Sequence, residues 1–550
     1  MDVHEHGVCV DKNSRVVQCN YCEKKMTTFY HLKRHLGGVG GDVAPCEQVK
    51  DFIRDTFRKM VTEETCGVNG GRSKSVSPEN DDKHDLFDNK GQNCIGLKIP
   101  DSRDLNGWML QEALKDVQDH VKKVKDSWEV TGCSILLDAW VDQGGRDLVA
   151  FVADCPGGPV YLKSFDVSDI KSDSNALISL VDGLIDEVGM HNVIQIIACS
   201  ASGWVGELGK HFAGNRKGIF WSVSVSHCFE LMLVKIGKMY FIGDIVDKIS
   251  KITEFINNNK ITEFIKAHSH GVDMTVFSSE FEFVSPYLTL ESVFKSKNEL
   301  AEMFASPDLN KEEDITISKL VKDSSFWETV ERVVKCTSLL IRGLHLFITT
   351  NNQHVGYIYD TMDSIKESIA GEFNGNKLCY MPLWDVIDDV WNEHLHIPLH
   401  AAGYFLNPTA FYSSDFLLDP EVATCVTASL VHLVKECPIQ LKVASQLDMY
   451  RLGQDCFNEA SQADQISGVS PAEWWSQKAN EYPELQSFAV KILSQTCEGA
   501  SRYKLKRSFA EKLLFTEEMS HYEQYHLEEL AFVHYNLHLQ SYKAKVKEEH

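Results

Sequence analysis

Residues 132–142 read Gly-Cys-Ser-Ile-Leu-Leu-Asp-Ala-Trp-Val-Asp. The run from Ser134 to Leu137 is short and rich in apolar residues, and it follows a turn-prone Gly132, which is the pattern of a strand. The alternation of a strand puts Asp138, Trp140 and Asp142 on one face and Ala139 and Val141 on the other. A carboxylate at the end of a buried strand is a place for a metal-ligating acid. It is equally a place for an acid that caps a turn beside a Trp that fills a core.

Outward from this stretch the pattern continues. Asp147–Asp154 and Pro159–Ser164 read as two further strands, separated by Pro156-Gly157-Gly158, and complete an antiparallel meander. Asn175–Val188 has helical periodicity, and Val193–Ala198 is a fully apolar strand suited to burial on both faces. Before the meander, Ser102–Trp128 carries Leu105, Trp108, Met109, Leu114, Val117, Val121 and Val124 close to helical spacing. After it, residues 205–465 read as helical, including Phe220–Lys238 and Phe326–Leu346. Lys-Ile-Thr-Glu-Phe-Ile occurs at 251–256 and again at 260–265, a local duplication and not a solenoid period.

A chain of 550 residues exceeds one ordinary core, so two to four domains are expected. Its net charge of −24 argues against a surface that wraps DNA throughout, and any nucleic-acid contact is expected to be local. No apolar run approaches the roughly 18 residues that span a membrane, so no membrane partner is expected. The 16 cysteines, with no secretory h-region at the N-terminus, point to reduced thiols and metal more than to a disulfide framework.

The local candidate lies in residues 1–60, where Lys and Arg slightly outnumber Asp and Glu. Cys19 and Cys22 form a C-x2-C pair, followed by His31 and His35 four apart on a helix, and then by Cys46. A C-x2-C knuckle presents two thiolates to one zinc ion. The residues themselves offer two ligand sets, Cys19, Cys22, His31 and His35, or Cys19, Cys22, His35 and Cys46. Lys33 and Arg34 beside the second His could meet phosphates or form an ordinary solvated face. Residues 61–95, rich in Gly, Ser, Asn and Asp, read as a flexible linker.

Several stretches resemble one family. Asp138-Ala139-Trp140-Val141-Asp142 is similar to the "DGWTD"-like first catalytic strand of hAT-superfamily transposases of a plant subgroup. VQCNYCEKK, HLKRHLGG and GDVAPC resemble a plant BED-type zinc finger, and Trp391–Pro408 resembles a hallmark expected to shape a tight helix junction. Residues 470–545 resemble the hAT C-terminal dimerisation region. The resemblance implies a multidomain α+β protein with a ribonuclease-H-like α/β core interrupted by a large helical insertion. The parts would be a zinc finger (1–60), a linker (61–95), the first part of the core (96–204), the insertion (205–465), and the end of the core with a helical dimerisation region (466–550). It implies zinc held by Cys19, Cys22, His35 and Cys46, with His31 in reserve. It implies DNA and a second copy of the chain as partners, and Trp474, Trp475, Phe488 and Phe532 as dimerisation residues. Nuclear localisation follows, with chromatin or transcription proteins as further partners.

Strand transfer on such a core needs three carboxylates around two Mg²⁺ ions. By the resemblance the first is Asp138, while the second position holds Cys199 and the third is aligned with Tyr503. A thiol is a soft ligand and a phenol is no carboxylate. Glu498 and Glu511 are set aside on the assumption of a regular helix around Tyr503. A family "C-x2-H" pair appears as Ser224 and His227, and a family Arg falls on Glu282. The expectation is therefore a DNA-binding protein that is not an enzyme. Arg502, Lys504, Lys506 and Arg507 are expected on a solvated helix face.

Overall fold

The computed structural model describes residues 6–11, 16–26, 29–38, 44–50, 53–54, 57–58, 105–215, 218–258, 282–303, 312–349, 354–413, 416, 419–457, 469–478, 480–514 and 521–548. The expected linker 61–95 and the second Lys-Ile-Thr-Glu-Phe-Ile copy lie outside them. The chain forms two compact units, residues 1–98 and 99–550.

In the first unit, β1 (Gly7–Asp11), β2 (Val16–Cys19) and β3 (Lys25–Met26) make an antiparallel sheet in that order, followed by α1 (Phe29–Gly37). Val17, Leu32, Leu36, Val49 and Phe57 are buried together at its centre. This is a small core for a folded unit.

The second unit opens with α2 (Leu110–Asp126), whose buried Leu110, Val117, Val121 and Val124 lie along one side. Then come β4 (Cys133–Val141), β5 (Asp147–Asp154), β6 (Val160–Asp166), α3 (Ser174–Val188), β7 (Val193–Ala198), α4 (Gly203–Asn215) and β8 (Phe220–Val223). The five strands form one sheet in the order β6-β5-β4-β7-β8. β4–β5 and β5–β6 are antiparallel, whereas β4–β7 and β7–β8 are parallel. α3 is capped by the Asp173 carboxylate, which accepts from Asn175 N and Ala176 N.

Alternation along β4 sorts its side chains between two faces. Ile135 and Leu137 face a core filled by Val121, Val181, Leu208 and Phe212 from α2, α3 and α4. Leu136, with Val152 and Ile197, faces a second core completed by Tyr503, Tyr535 and Leu539 from the far end of the chain. Asn536 fastens that end to the edge strand, accepting from Tyr161 N at 3.0 Å and donating to Tyr161 O at 3.3 Å.

The entry to β4 depends on Gly132, at φ 64° and ψ −174°. A Cβ there would sit 2.4 Å from Ile194 Cγ1. Backbone conformation and space both exclude a side chain, so Gly132→Ala is expected to destabilise the second unit by about 2–4 kcal/mol. Chemical denaturation of the purified variant checks this, and a loss below about 0.5 kcal/mol would contradict it.

β8 corrects the expectation of a continuous helix over Phe220–Lys238. Phe220–Val223 pairs with β7, and the helix α5 (Val225–Gly237) starts only after it. Ser224 marks the boundary as its N-cap, accepting from His227 N at 3.4 Å. The aromatic and β-branched residues before the cap suit a strand better than a helix. The sheet therefore continues past residue 204, into the part expected to be a purely helical insertion.

The remainder is mostly helical and includes α6 (Tyr240–Asn258), α7 (Ser285–Lys295), α8 (Ser324–Thr349), α9 (Val355–Glu372), α10 (Lys377–Val390), α11 (Pro398–Leu406), α12 (Pro420–Leu433), α13 (Cys437–Arg451), α14 (Pro483–Leu493), α15 (Arg507–Leu513) and α16 (His521–Glu548), with shorter helices between them such as Pro471–Lys478. α5 to α10 enclose one core around Phe229, Trp327, Leu340 and Ile365. α11 to α14 enclose another around Phe405, Tyr450 and Trp475. The hallmark stretch 391–408 is a tight junction. A Cβ on Gly403 would approach Val355 C to 3.0 Å, and Asn407 Nδ2 donates to Gly356 O at 3.0 Å. No helix among the described residues is long and apolar enough to cross a membrane.

Candidate metal centre and the acidic end of the sheet

Cys19 closes β2, and Cys22 follows in a turn where Cys19 N donates to Lys24 O and Glu23 N to Cys19 O, each at 3.0 Å. Glu23 takes φ 59° to complete that turn. His35 lies on α1, and Cys46 N donates to His35 O at 2.8 Å, which carries the chain back to the helix. The ligand atoms of Cys19, Cys22, His35 and Cys46 all lie within 4.8 Å of one another. The pair Cys19 Sγ and Cys46 Sγ is 4.0 Å apart, and Cys22 Sγ is 3.1 Å from His35 Nε2. Ligands of a tetrahedral zinc ion, at roughly 2.0–2.3 Å from the metal, sit at about such separations.

The surroundings fit a metal as well. Ala44 O lies 2.6 Å from His35 Nδ1, so with the proton on Nδ1 the Nε2 lone pair turns toward the thiols. Arg54 donates to Cys46 O at 3.0 Å, holding the last ligand in place. Burial and the neighbouring Cys22 and Cys19 push the Cys46 thiol up to about 11, the response of crowded sulfurs that a cation would reverse. The site could hold a metal ion such as zinc. His31 is not among the four. Lys33 and Arg34 are half-buried on α1 next to His35.

In the second unit, the C-terminal end of β4 carries Asp138, which is buried. Its carboxylate is gripped by Arg507 at the start of α15, Nη2 to Oδ1 at 2.8 Å and Nε to Oδ2 at 3.3 Å. Arg507 also lies over the Trp140 ring, 5.4 Å from its centroid. Glu511, one turn further along α15, accepts from Trp140 Nε1 at 3.1 Å. Cys199 follows the adjacent strand β7, and its Sγ accepts from Ala139 N at 3.1 Å. Burial, reinforced by Asp138, pushes this thiol up to about 12. The structure thus brings Asp138 and Cys199 to one end of the sheet, together with Arg507 and Glu511, which sequence reasoning did not place there.

Tyr503 is elsewhere. It is buried and donates to Asp154 Oδ1 at 2.6 Å. Asp154 pairs across with Ser134, four residues upstream of Asp138. The regular helix assumed around Tyr503 does not exist. Residues 496–506 cross the sheet as an irregular segment with one tight turn at Ala500–Tyr503, and α15 begins at Arg507. Angular arguments about Glu498 and Glu511 on such a helix therefore fail. Glu498, directly after Cys497, is buried and fully engaged. Its Oε1 accepts from Ser226 N at 2.8 Å and Ser226 Oγ at 2.7 Å, and its Oε2 from Gly499 N at 3.2 Å. Burial raises its pKa, and the Ser226 contacts oppose the rise. The expected solvated helix face of Arg502, Lys504, Lys506 and Arg507 holds in part: Lys504, Lys506 and Arg507 are exposed, but Arg502 is not, and the helix starts only at Arg507. Arg502 is buried against Asp154 at 2.6 Å, and Arg507 is the partner of Asp138. A signal was present in both cases, because acids at the two ends of buried strands need cations, and the basic residues closest to the last SQTC stretch supply them.

Of the expected dimerisation residues, Trp474, Trp475 and Phe488 are buried within the chain itself, and Trp475 Nε1 donates to Leu406 O at 2.7 Å. Their apolar area is already covered. Phe532 on α16 is partly buried against the core of the sheet.

No curated protein matches the chain. Residues 100–252 match a domain of unknown function, DUF659, and residues 446–537 match the hAT family C-terminal dimerisation region. Over residues 446–537 the chain is thus similar to hAT-family proteins, in the region that serves their dimerisation.

Proposed function

We propose that this chain is a hAT-transposase-derived, zinc-dependent DNA-binding protein of the nucleus, which acts as a dimer and does not catalyse strand transfer. The N-terminal Cys3His cluster is then a BED-type finger that meets DNA, with Lys33 and Arg34 on phosphates. The strand order β6-β5-β4-β7-β8 supports a ribonuclease-H-like reading of the core, which serves as scaffold. Two fingers joined in a dimer gain avidity by effective concentration.

The observation that carries the loss of strand transfer is the clasp of Arg507 on Asp138. A two-metal site needs that carboxylate to face cations shared with two further acids. Here a guanidinium takes both its oxygens, and the neighbouring strand offers a thiol that burial keeps protonated.

Titration of duplex DNA with the full-length protein across a salt series tests the reading. Wild type is expected to bind with a negative log–log salt slope, and Cys19→Ser/Cys22→Ser to lose that binding. Equal binding by both would remove the finger from the function, and absence of binding by both would favour an adaptor in a chromatin or transcription complex. Nicking of duplex DNA with Mg²⁺ or Mn²⁺ that disappears in Asp138→Asn would overturn the non-enzymatic part.

A further inference from the structure

α13 is amphipathic in an unusual way. Its inner side buries Val443 and Tyr450, and Gln446 bonds to Glu484 and to Leu485 N, each at 2.8 Å. Its opposite side also ends in leucines: Leu441 is 73% exposed and Leu452, at the C-cap, 59%. They are eleven residues apart, about three turns, and so point within roughly 20° of each other and lie about 16 Å apart along the axis. Between them on the same side stand Ser445 and the exposed ion pair Asp448–Arg451. Val431, near the end of α12, is exposed too.

We propose that this outward face of α13 is a self-complementary surface on which a second copy of the chain docks antiparallel, Leu441 against the partner's Leu452. The inference rests on the dimer reading above and names its surface. Three observations choose a second copy as the occupant. The match to the dimerisation region begins at residue 446, inside this helix, so the face is continuous with it. The large aromatics of that region are spent on the chain's own core, so area for a partner must come from elsewhere. Finally, the pattern reads the same under a twofold between residues 446 and 447. Leucine meets leucine at both ends, and Ser445 meets the partner's Asp448 near the middle, as an isologous contact requires.

Sedimentation equilibrium of the full-length protein tests this. Wild type is expected to be a dimer at micromolar concentration. Leu441→Glu/Leu452→Glu is expected to weaken association about a hundredfold or more, since four buried leucines become four opposed charges. Leu441→Lys/Leu452→Glu places opposite charges at each antiparallel contact and is expected to recover most of the loss. Circular dichroism should match wild type, because both sites are exposed, and the thermal midpoint should fall only by what the lost association contributed. A monomeric wild type would overturn the dimer reading itself and leave the face to another protein. A dimeric wild type whose Leu441→Glu/Leu452→Glu variant is equally dimeric would overturn this surface alone, and failure of the opposite-charge variant to recover would overturn the antiparallel register.

Discussion

Full-length protein produced in zinc-replete medium is expected to carry one zinc ion per chain, Cys46→Ala none, and His31→Ala one. The argument begins with how little else holds the first unit together. Its core is a handful of side chains around Leu32, Leu36 and Phe57, and its strands are short. Units of this size seldom fold on apolar burial alone. The four ligands join the end of β2, the turn after it, α1 and the segment at Cys46, so a metal would tie these parts of the unit together. Structural zinc contributes apparent binding free energies of about 10–16 kcal/mol, far more than this core. Loss of one thiolate should therefore expose the N-terminal residues to protease while the second unit stays intact. Metal content by mass spectrometry and limited proteolysis measure the two effects. Zinc retained by Cys46→Ala but lost from His31→Ala would reverse the ligand assignment.

The largest effect in the second unit is expected at Arg502. Its guanidinium sits between Asp154 Oδ2 at 2.6 Å, Thr496 Oγ1 at 3.1 Å and the Tyr503 hydroxyl. The side chains of Arg502 and Asp154 are only 13% and 8% exposed, so solvent screens the pair little. Arg502→Met leaves the Asp154 charge with the Tyr503 hydroxyl alone, and the cost is expected at about 3–5 kcal/mol. Removing both charges in Arg502→Met/Asp154→Leu should recover a good part, because the penalty lies in the orphaned charge. Denaturant midpoints at constant slope read both. A loss below about 1 kcal/mol in the single variant would show that water reaches the carboxylate after all.

What the sequence disclosed and what it withheld differ by range. The meander, α3 and β7 were legible because alternation and helical periodicity are local, and the structure places them within a few residues of expectation. The C-x2-C knuckle was legible because ligand spacing is local too, and the choice between His31 and Cys46 needed the turn that brings residue 46 back to α1. β8 was missed because four strand residues run straight into a long apolar helix, with only Ser224 to separate them. The acidic end of the sheet was half-legible. Asp138 and Cys199 come from adjacent strands, but their neighbours Arg507 and Glu511 arrive from more than 300 residues away, over an irregular segment that no periodicity announces. The same long reach made Trp474 and Trp475 look available when they are interior.

The second face of the sheet, finally, has a history in time. Leu136, Val152 and Ile197 are covered by Tyr503, Tyr535 and Leu539, residues made about 300 positions or more after them. On a ribosome working at roughly 5–20 residues per second, β4 to β8 emerge on the order of tens of seconds before their cover does. During that interval the residues of one face of the sheet lack their cover, and the acids Asp138 and Asp154 await cations not yet translated. The nascent chain thus carries apolar residues whose partners come far later, and residues 503–539 supply the long-range contacts that close this face of the sheet.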